Sequence, residues 1–238
     1  MPRRRKPESP FKRLNSSPEV IRLVVIMYVR SPLSLRNVDD LLAEPGMDIC
    51  HETARYWWNR FGPMFAADIK RQRISRMRDF RHWRWHLDEM FVKINGEMHY
   101  LGRAVDHEGQ VLEGYVTKKL DKSAALNFFK KALKHNGRPT QIVTDGLRSY
   151  PAALDELSIE DRQEMGRWKS NRAENSQSPL RLRKLVMQRF WRMKRLQKLA
   201  SVHADFHNHF NSERNLNDRQ IYKTTRSAAL AEWQGLMA

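Results

Sequence analysis

The chain has 238 residues, enough for one large domain or for a medium-sized domain with a smaller one attached. Hydrophobic residues make up 40% of the chain, which excludes global disorder. The formal net charge of +17 favours nucleic acid as the partner. The alternatives are binding to an anionic membrane surface and a charged surface that only contacts water, as in ribosomal-type proteins. No apolar run approaches the roughly 20 residues that span a bilayer, and a single cysteine excludes an internal disulfide and a cysteine-based zinc site.

Residues 1–16 are predicted to form a basic disordered arm without a secretory signal. Three helices are predicted after it, with the approximate ranges 18–29, 35–44 and 51–61. Ser17 and Ser34 are suited to cap the first two helices, and Gly62-Pro63 is predicted to end the third.

This series of short helices, over residues 17–63, is typical of a helix-turn-helix DNA-binding domain. The third helix would then lie in the major groove and expose side chains to the bases. Those side chains are His51, Thr53, Arg55, Tyr56 and Asn59. A small helical bundle that does not touch DNA fits the same pattern, and the overall charge favours DNA binding.

Residues 64–84 are strongly basic and are predicted to form a linker helix that lies near phosphates. Its candidate DNA-binding residues are Lys70, Arg71 and Arg73. A charged face that only contacts water is the alternative. The composition changes at Trp85, where a strand pattern begins.

Residues 85–200 are predicted to form an α/β domain. Three strands near 85–94, 98–105 and 111–117 are followed by a helix, a strand at 142–144 and another helix. A helical crossover makes the fourth strand parallel to a neighbour, which gives a mixed sheet flanked by helices. This order is expected of a ribonuclease-H-like domain, although other α/β domains also fit. Residues 171–200 are predicted to be helical and basic, and residues 201–238 to form a helical extension.

Two carboxylates stand where strands carry an unusual charge. Asp88 lies on the same side of the first strand as Met90 and Val92, and Asp145 directly follows the fourth strand. If these strands are neighbours, the carboxylates meet and repel one another, and a divalent cation such as Mg²⁺ resolves that conflict. The alternative for Asp88 is an ordinary residue at a strand end, and the alternative for Asp145 is an ordinary helix N-cap.

A third acid would complete a site for two metal ions. The candidates after Asp145 are Asp155, Glu156, Glu160, Asp161, Glu164 and Glu174. Glu174 opens the long basic segment, where an acid also has the simpler role of complementing the helix dipole. His203 and His207 stand one helical turn apart without a well-spaced third ligand, so a structural role is predicted for them.

The three segments WHLDEMFVKINGEMHYLGRAVD, IVTDGLRSYPAALDEL and GRWKSNRAENSQSPLRLRKLVMQRF resemble those that carry the acids of DDE transposases, most closely those of bacterial insertion sequence family six. The resemblance begins near Phe11 and covers nearly the whole chain. It implies a ribonuclease-H-like catalytic domain in which Asp88, Asp145 and Glu174 hold two Mg²⁺ or Mn²⁺ ions and catalyse DNA strand transfer. Only 28 residues separate the second and third acids, fewer than we expect for the family.

The resemblance also implies binding roles and partners. Arg181 stands where family members carry a basic residue, seven positions after Glu174, and would bind a phosphate; Arg172 is a further candidate. The expected partners are the terminal inverted repeats, a target DNA and further copies of the chain, in a cytoplasmic, nucleoid-associated setting. The alternatives are a catalytically inactive DNA-binding relative or regulator, and a nuclease of the same fold.

Overall fold

The computed structural model describes residues 9–76, 84–144, 146–166, 178–182, 192–210 and 218–236. The chain divides into two compact units. The first comprises Met1–Arg73 and His209–Ala238, and the second comprises Ile74–Asn208. In chain order the elements are α1 (Pro18–Arg30), α2 (Leu35–Ala43), α3 (His51–Arg76), β1 (Arg84–Ile94), β2 (Glu97–Asp106), β3 (Val111–Thr117), α4 (Lys122–Asn136), β4 (Gln141–Thr144), α5 (Ser149–Glu156), a 3₁₀ helix (Glu160–Arg162), β5 (Gln163–Met165), α6 (Met193–Phe210) and α7 (Arg219–Gly235).

The predicted starts of α1 and α2 are confirmed by their caps. The Ser17 side chain accepts a hydrogen bond from the backbone N–H of Val20. Ser34 and Asn37 form a reciprocal capping box at the start of α2. The N-terminus of α3 is capped from α2, because the Asp39 carboxylate accepts from the backbone N–H of His51 at 3.0 Å.

The predicted end of the third helix at Gly62-Pro63 is wrong, because α3 continues through both residues to Arg76. Proline removes one helical hydrogen bond. The buried face nevertheless continues on both sides of it, through Phe61, Phe65 and Ile69, and this burial outweighs the local preference. Gly62 gives room to a ring, since a Cβ there would lie 2.6 Å from Cε3 of Trp58. Residues 64–76 of the linker helix that is predicted over 64–84 therefore belong to α3.

The first unit joins segments from both ends of the chain. Phe65 of α3 packs against Trp233 of α7, with ring centroids 4.7 Å apart. The buried Arg22 of α1 donates from Nε and Nη2 to the carbonyl oxygen of Leu236, at 3.1 and 2.6 Å. The predicted extension 201–238 is thus divided, since only its residues from His209 onward belong to this unit.

Residues 9–16 of the predicted disordered arm lie within the described part of the chain. Residues 1–8 lie outside the described part of the chain. Phe11, in contrast, is buried and stacks on Phe61, with ring centroids 5.1 Å apart. An aromatic side chain within a basic segment therefore anchors residues near it to the helical core.

The second unit contains, among its described residues, a five-stranded sheet in the order β3-β2-β1-β4-β5. The strands β1, β2 and β3 form antiparallel pairs, and β4 lies parallel to β1, as predicted. The strand β5, which pairs in parallel with β4, is not among the predicted strands, the last of which is at 142–144. A three-residue strand with the polar sequence QEM carries no periodic signal.

The two faces of the sheet differ in what covers them. Trp85 and Leu87 of β1 pack into an apolar core with residues of α4 and α5. We call this side of the sheet the apolar face. Residues alternate between faces along a strand, so His86 and Asp88 lie on the other side. We call that side the polar face; there Val105 and Val111 pack against Ala204 of α6.

Helix α6 also covers the free edge of β3. The side-chain amide of Asn208 accepts from the N–H of Val111 at 2.7 Å and donates to its carbonyl at 2.8 Å. Gln197 accepts from the N–H of Val116 at 2.9 Å and donates to the carbonyl of Gly114 at 2.8 Å. Gln197 and Asn208 are eleven residues apart on the helix, and Val111 and Val116 are five residues apart on the strand. Both separations span about 16 Å, so each side-chain amide lies opposite the backbone groups that it binds. The edge is therefore closed to pairing with another strand.

Candidate active site

Asp88 is the catalytic candidate that the structure places most fully. It lies in the middle of β1, the central strand of the sheet, and is only 9% exposed. Its neighbours along the polar face, His86 and Met90, are also buried. A carboxylate in such surroundings needs a compensating cation.

Arg103 supplies a positive charge beside Asp88. The two residues are direct partners in the antiparallel pairing of β1 with β2, so their side chains leave the sheet on the same face. Arg103 is 1% exposed. Burial lowers the pKa of Arg103 to about 10, while the charge of Asp88 acts in the opposite direction. The guanidinium therefore stays charged at neutral pH.

Arg181 approaches Asp88 from the solvent side. Its Nη2 lies 3.8 Å from Oδ2 of Asp88, and about half of the Arg181 side chain is exposed. Residues 178–182 around it are helical. Asp88 thus lies between a buried guanidinium and a half-exposed one, and the second of these can also reach a bound phosphate.

The end of β4 lies next to this site. The last parallel pair of β1 with β4 joins His86 to Val143, and the strand ends at Thr144. Asp145 follows Thr144 in the chain but lies outside the described residues. Glu174 and Arg172 also lie outside them.

Other candidate acids are engaged elsewhere. Glu156 of α5 pairs with Lys122, at 2.8 Å. Glu164 of β5 pairs with Arg84 at 3.0 Å and also accepts from the side chain of Gln141. These contacts give both acids a structural explanation, and neither of them involves Asp88.

Arg103 is the site residue that the sequence analysis misses. A signal exists in the sequence LGRAVD, because Arg103 stands between Leu101 and Val105, two apolar residues on the same side of a predicted strand. The flanking Leu101 and Val105 are indeed fully buried. The partner across the strand pair, Asp88, becomes identifiable only with the register.

The described residues contain no group of three or more His, Cys, Asp or Glu side chains arranged to hold a metal ion. His203 is buried, and its ring stacks against that of His207 with centroids 6.2 Å apart. A shallow pocket opens on the apolar face, where Glu89, Tyr115 and Ser149 line it. That pocket is separated from Asp88 by the sheet.

The candidate DNA-binding residues of α3 differ in exposure. Arg55, Tyr56 and Asn59 are exposed, whereas His51 and Thr53 are half-buried. Arg55 is held by Glu52, with Nη1 at 2.7 and 2.9 Å from the two carboxylate oxygens. A DNA contact by Arg55 would therefore have to compete with this local ion pair.

The basic residues further along α3 are also accessible. Arg71 is exposed and pairs with Asp68 at 2.7 Å, while Lys70 and Arg73 are half-buried.

No helix within the described ranges is long and apolar enough to cross a membrane.

A comparison with known protein families gives the identity of the second unit. The family model described as the DDE domain, of the IS240 transposase type, matches residues 82–213, more than half of the chain. The chain belongs to the DDE transposase family. The expected resemblance to transposases of insertion sequence family six is confirmed. The mixed sheet of this DDE domain, flanked by helices, also confirms the predicted ribonuclease-H-like fold.

Relatives of this DDE domain include two transposases of Staphylococcus aureus. The chain is 31% identical, over 144 residues, to the transposase for insertion sequence-like element IS431mec, and 30% identical to the transposase for element IS257 in transposon Tn4003. Each match covers 60% of this chain and 61% of the relative. The HTLV-2 integrase catalytic core domain, solved in complex with magnesium, is similar with a TM-score of 0.43 and 16% identity, over 60% of this chain and 96% of that one.

Proposed function

We propose that the protein is a DNA transposase that binds the terminal inverted repeats of an insertion sequence and catalyses metal-dependent 3′-end cleavage and strand transfer. The observation that carries the proposal is Asp88, a buried carboxylate on the central strand beside the end of β4, within a chain of the DDE transposase family. Charge of this kind on a sheet is costly and is expected where chemistry requires it.

We assign the catalytic and metal-binding roles to Asp88, Asp145 and Glu174. Asp88 and residue 145 each stand two positions beyond the pair His86↔Val143, so a continued parallel register would make them neighbours. Carboxylate oxygens are the ligands that Mg²⁺ and Mn²⁺ prefer, so this donor set fits such ions. Two bound ions would activate the attacking water or 3′ hydroxyl and stabilise the leaving oxygen.

Arg181 would hold the DNA backbone at this site. Its guanidinium lies within 3.8 Å of the Asp88 carboxylate and is half-exposed, so a phosphate bound by it would lie beside the acid. Arg172 is assigned a similar role on the family resemblance. An arginine can bind two phosphate oxygens at once and so also fixes the orientation of the scissile group.

The test of catalysis is Mg²⁺-dependent cleavage and joining of DNA that carries the element ends. Asp88→Asn, Asp145→Asn and Glu174→Gln are each expected to lower cleavage by about 10²–10³-fold. Glu156→Gln is the matched control, because Glu156 pairs with Lys122. Wild-type rates in the three site variants would refute the assignment.

The same assay separates the other functions. DNA binding without cleavage in the wild type would indicate a catalytically inactive relative or a regulator. Cleavage without capture of a target plasmid would indicate a nuclease.

Two element ends require two active sites, so we also propose that the protein forms a homodimer or a larger assembly on paired ends. Light scattering with and without end DNA measures the size of this assembly.

The DNA-binding role of α3 is tested by sequence specificity. Arg55→Ala and Asn59→Ala are expected to reduce the preference for terminal-repeat DNA over random DNA, since base contacts specify the sequence. Arg36→Ala, which removes an exposed charge from α2, is expected to weaken binding to both DNAs equally. If Arg55→Ala and Asn59→Ala behave like Arg36→Ala, α3 does not read the sequence.

A further inference from the structure

Arg103 is an unusual residue for its place in the sheet. It lies in the middle of β2, a strand with a neighbour on each side, and is 1% exposed. Leu101 and Val105, which share its face, are fully buried and apolar. Along its own strand, Arg103 therefore has apolar side chains on both sides.

A purely structural need does not account for this arginine. Taking a guanidinium out of water is costly, and a buried ion pair is often no more stable than apolar residues of the same volume. An apolar residue at position 103 would continue the pattern of Leu101 and Val105. Among the described residues, the Asp88 carboxylate directly across the strand pair is a counterpart whose charge interacts with this arginine.

We propose that Arg103 is a positioning residue for Asp88, holding its carboxylate from inside the sheet so that it faces the side on which Arg181 approaches. This inference rests on the proposed function, since it concerns the orientation of a metal-binding acid. Directly paired strand residues have Cβ atoms about 4.5–5.5 Å apart, which places the two side chains in reach of each other.

The neighbouring strand leaves room for this arrangement. Gly114 of β3 is the strand partner of Arg103 on the side away from Asp88. Among the described residues, a Cβ built at Gly114 would have a methyl group of Leu101 as its neighbour, at the ordinary contact distance of 3.9 Å. Arg103 thus has a residue with a carboxylate as its partner on one strand and a glycine as its partner on the other. A planar guanidinium fork in this position would restrict a neighbouring carboxylate more than an ammonium would.

The change in Mn²⁺ affinity when the guanidinium is removed shows whether Arg103 orients Asp88 or only adds positive charge. A guanidinium that only added positive charge would repel a divalent cation, so its removal would tighten Mn²⁺ binding. A guanidinium that orients Asp88 has the opposite effect, because a disoriented carboxylate is a poorer ligand. Loss of such a supporting partner typically lowers metal affinity or activity by about 10–100-fold.

The experiment measures Mn²⁺ binding to the full-length protein by electron paramagnetic resonance, together with the melting temperature and DNA cleavage. Arg103→Met is expected to bind Mn²⁺ about 10–100-fold more weakly and to cleave more slowly by a similar factor. Arg103→Lys is expected to recover only part of both. Glu113→Gln is the control, since it removes the charge of another buried acid of the sheet, which pairs with Lys131 at 2.9 Å.

Tighter or unchanged Mn²⁺ binding by Arg103→Met would overturn the proposal, as would an equal loss in Glu113→Gln. If Arg103→Met does not fold, Arg103→Lys decides: weakened Mn²⁺ binding in a folded protein supports positioning, and wild-type binding refutes it. The proposed function fails separately, and this inference with it, if the wild type binds no Mn²⁺ or if Asp88→Asn binds it equally well. If Asp88→Asn loses binding and Arg103→Met does not, only the role of Arg103 is refuted.

Discussion

The two faces of the sheet are made by the same strands but solve different problems. On the apolar face, Trp85 and Leu87 pack with Phe129 of α4 and Leu154 of α5, and all four are fully buried. On the polar face, the same strand buries Asp88 opposite Arg103. Stability and chemistry are therefore divided between the faces, because packing on the apolar face supplies the hydrophobic free energy that offsets the cost of burying charge on the polar face.

The largest effect on stability is expected from the apolar face. Phe129→Ala removes a fully buried ring that lies 5.5 Å from the ring of Tyr150, and it should cost about 3–5 kcal/mol of unfolding free energy. Chemical denaturation measures this. Leu126→Ala, a half-buried position on the same helix, should cost clearly less. Equal losses at the two positions would show that α4 does not contribute through this core.

The elements of this apolar face are also those that the sequence predicts well. Burial alternates over residues 90–94 of β1, Asn95 and Gly96 turn the chain between β1 and β2, and the Asp121 side chain caps α4; all three are local features. Each is complete within a few residues, so no knowledge of distant partners is needed.

The remaining features depend on partners that are far away in the chain. The continuation of α3 through Pro63 depends on burial of Phe65 against Trp233, which is 168 positions later. The role of Arg103 depends on the strand register with Asp88. Asp88 itself could be identified as a candidate from its strand position and from the resemblance to DDE transposases, while Arg103 could not be connected to it without the fold.

The stability of the polar face is predicted to depend on hydrogen bonds, whereas that of the apolar face depends on hydrophobic packing. Asn208→Ala removes both bonds from α6 to Val111 and leaves two buried backbone groups without this partner. We expect a loss of about 1–3 kcal/mol. Lys194→Ala, at an exposed position of the same helix, should change stability by less than about 0.5 kcal/mol. Hydrogen exchange should show faster exchange at Val111 in Asn208→Ala, and unchanged exchange there would argue against the edge contact.

The apolar face also contains a buried charge, which tests whether a buried charge contributes to cleavage only on the polar face. The Glu113 carboxylate is held by Lys131 at 2.9 Å, by His135 at 3.0 Å and by the N–H of Gly114 at 3.1 Å. Because Gln keeps the shape and an acceptor oxygen, Glu113→Gln should cost only about 1–2 kcal/mol and leave DNA cleavage unchanged. Thermal melts and the cleavage assay check this. A large loss of cleavage would mean that buried charge on either face contributes to the chemistry.

The smallest effect is expected at the end of β4, where a hydroxyl joins two parallel strands. Thr144 is fully buried, and its Oγ1 accepts from Nε2 of Gln163 in β5 at 3.0 Å. Thr144→Val keeps the volume and removes the acceptor, and because the half-buried Gln163 amide can turn to water, the cost should be about 0.5–1.5 kcal/mol. A double-mutant cycle with Gln163→Ala isolates this bond. Since Thr144 directly precedes Asp145, a loss of cleavage much larger than the loss of stability would place this strand end in the chemistry of the polar face, whereas proportionate losses would assign it to the fold alone.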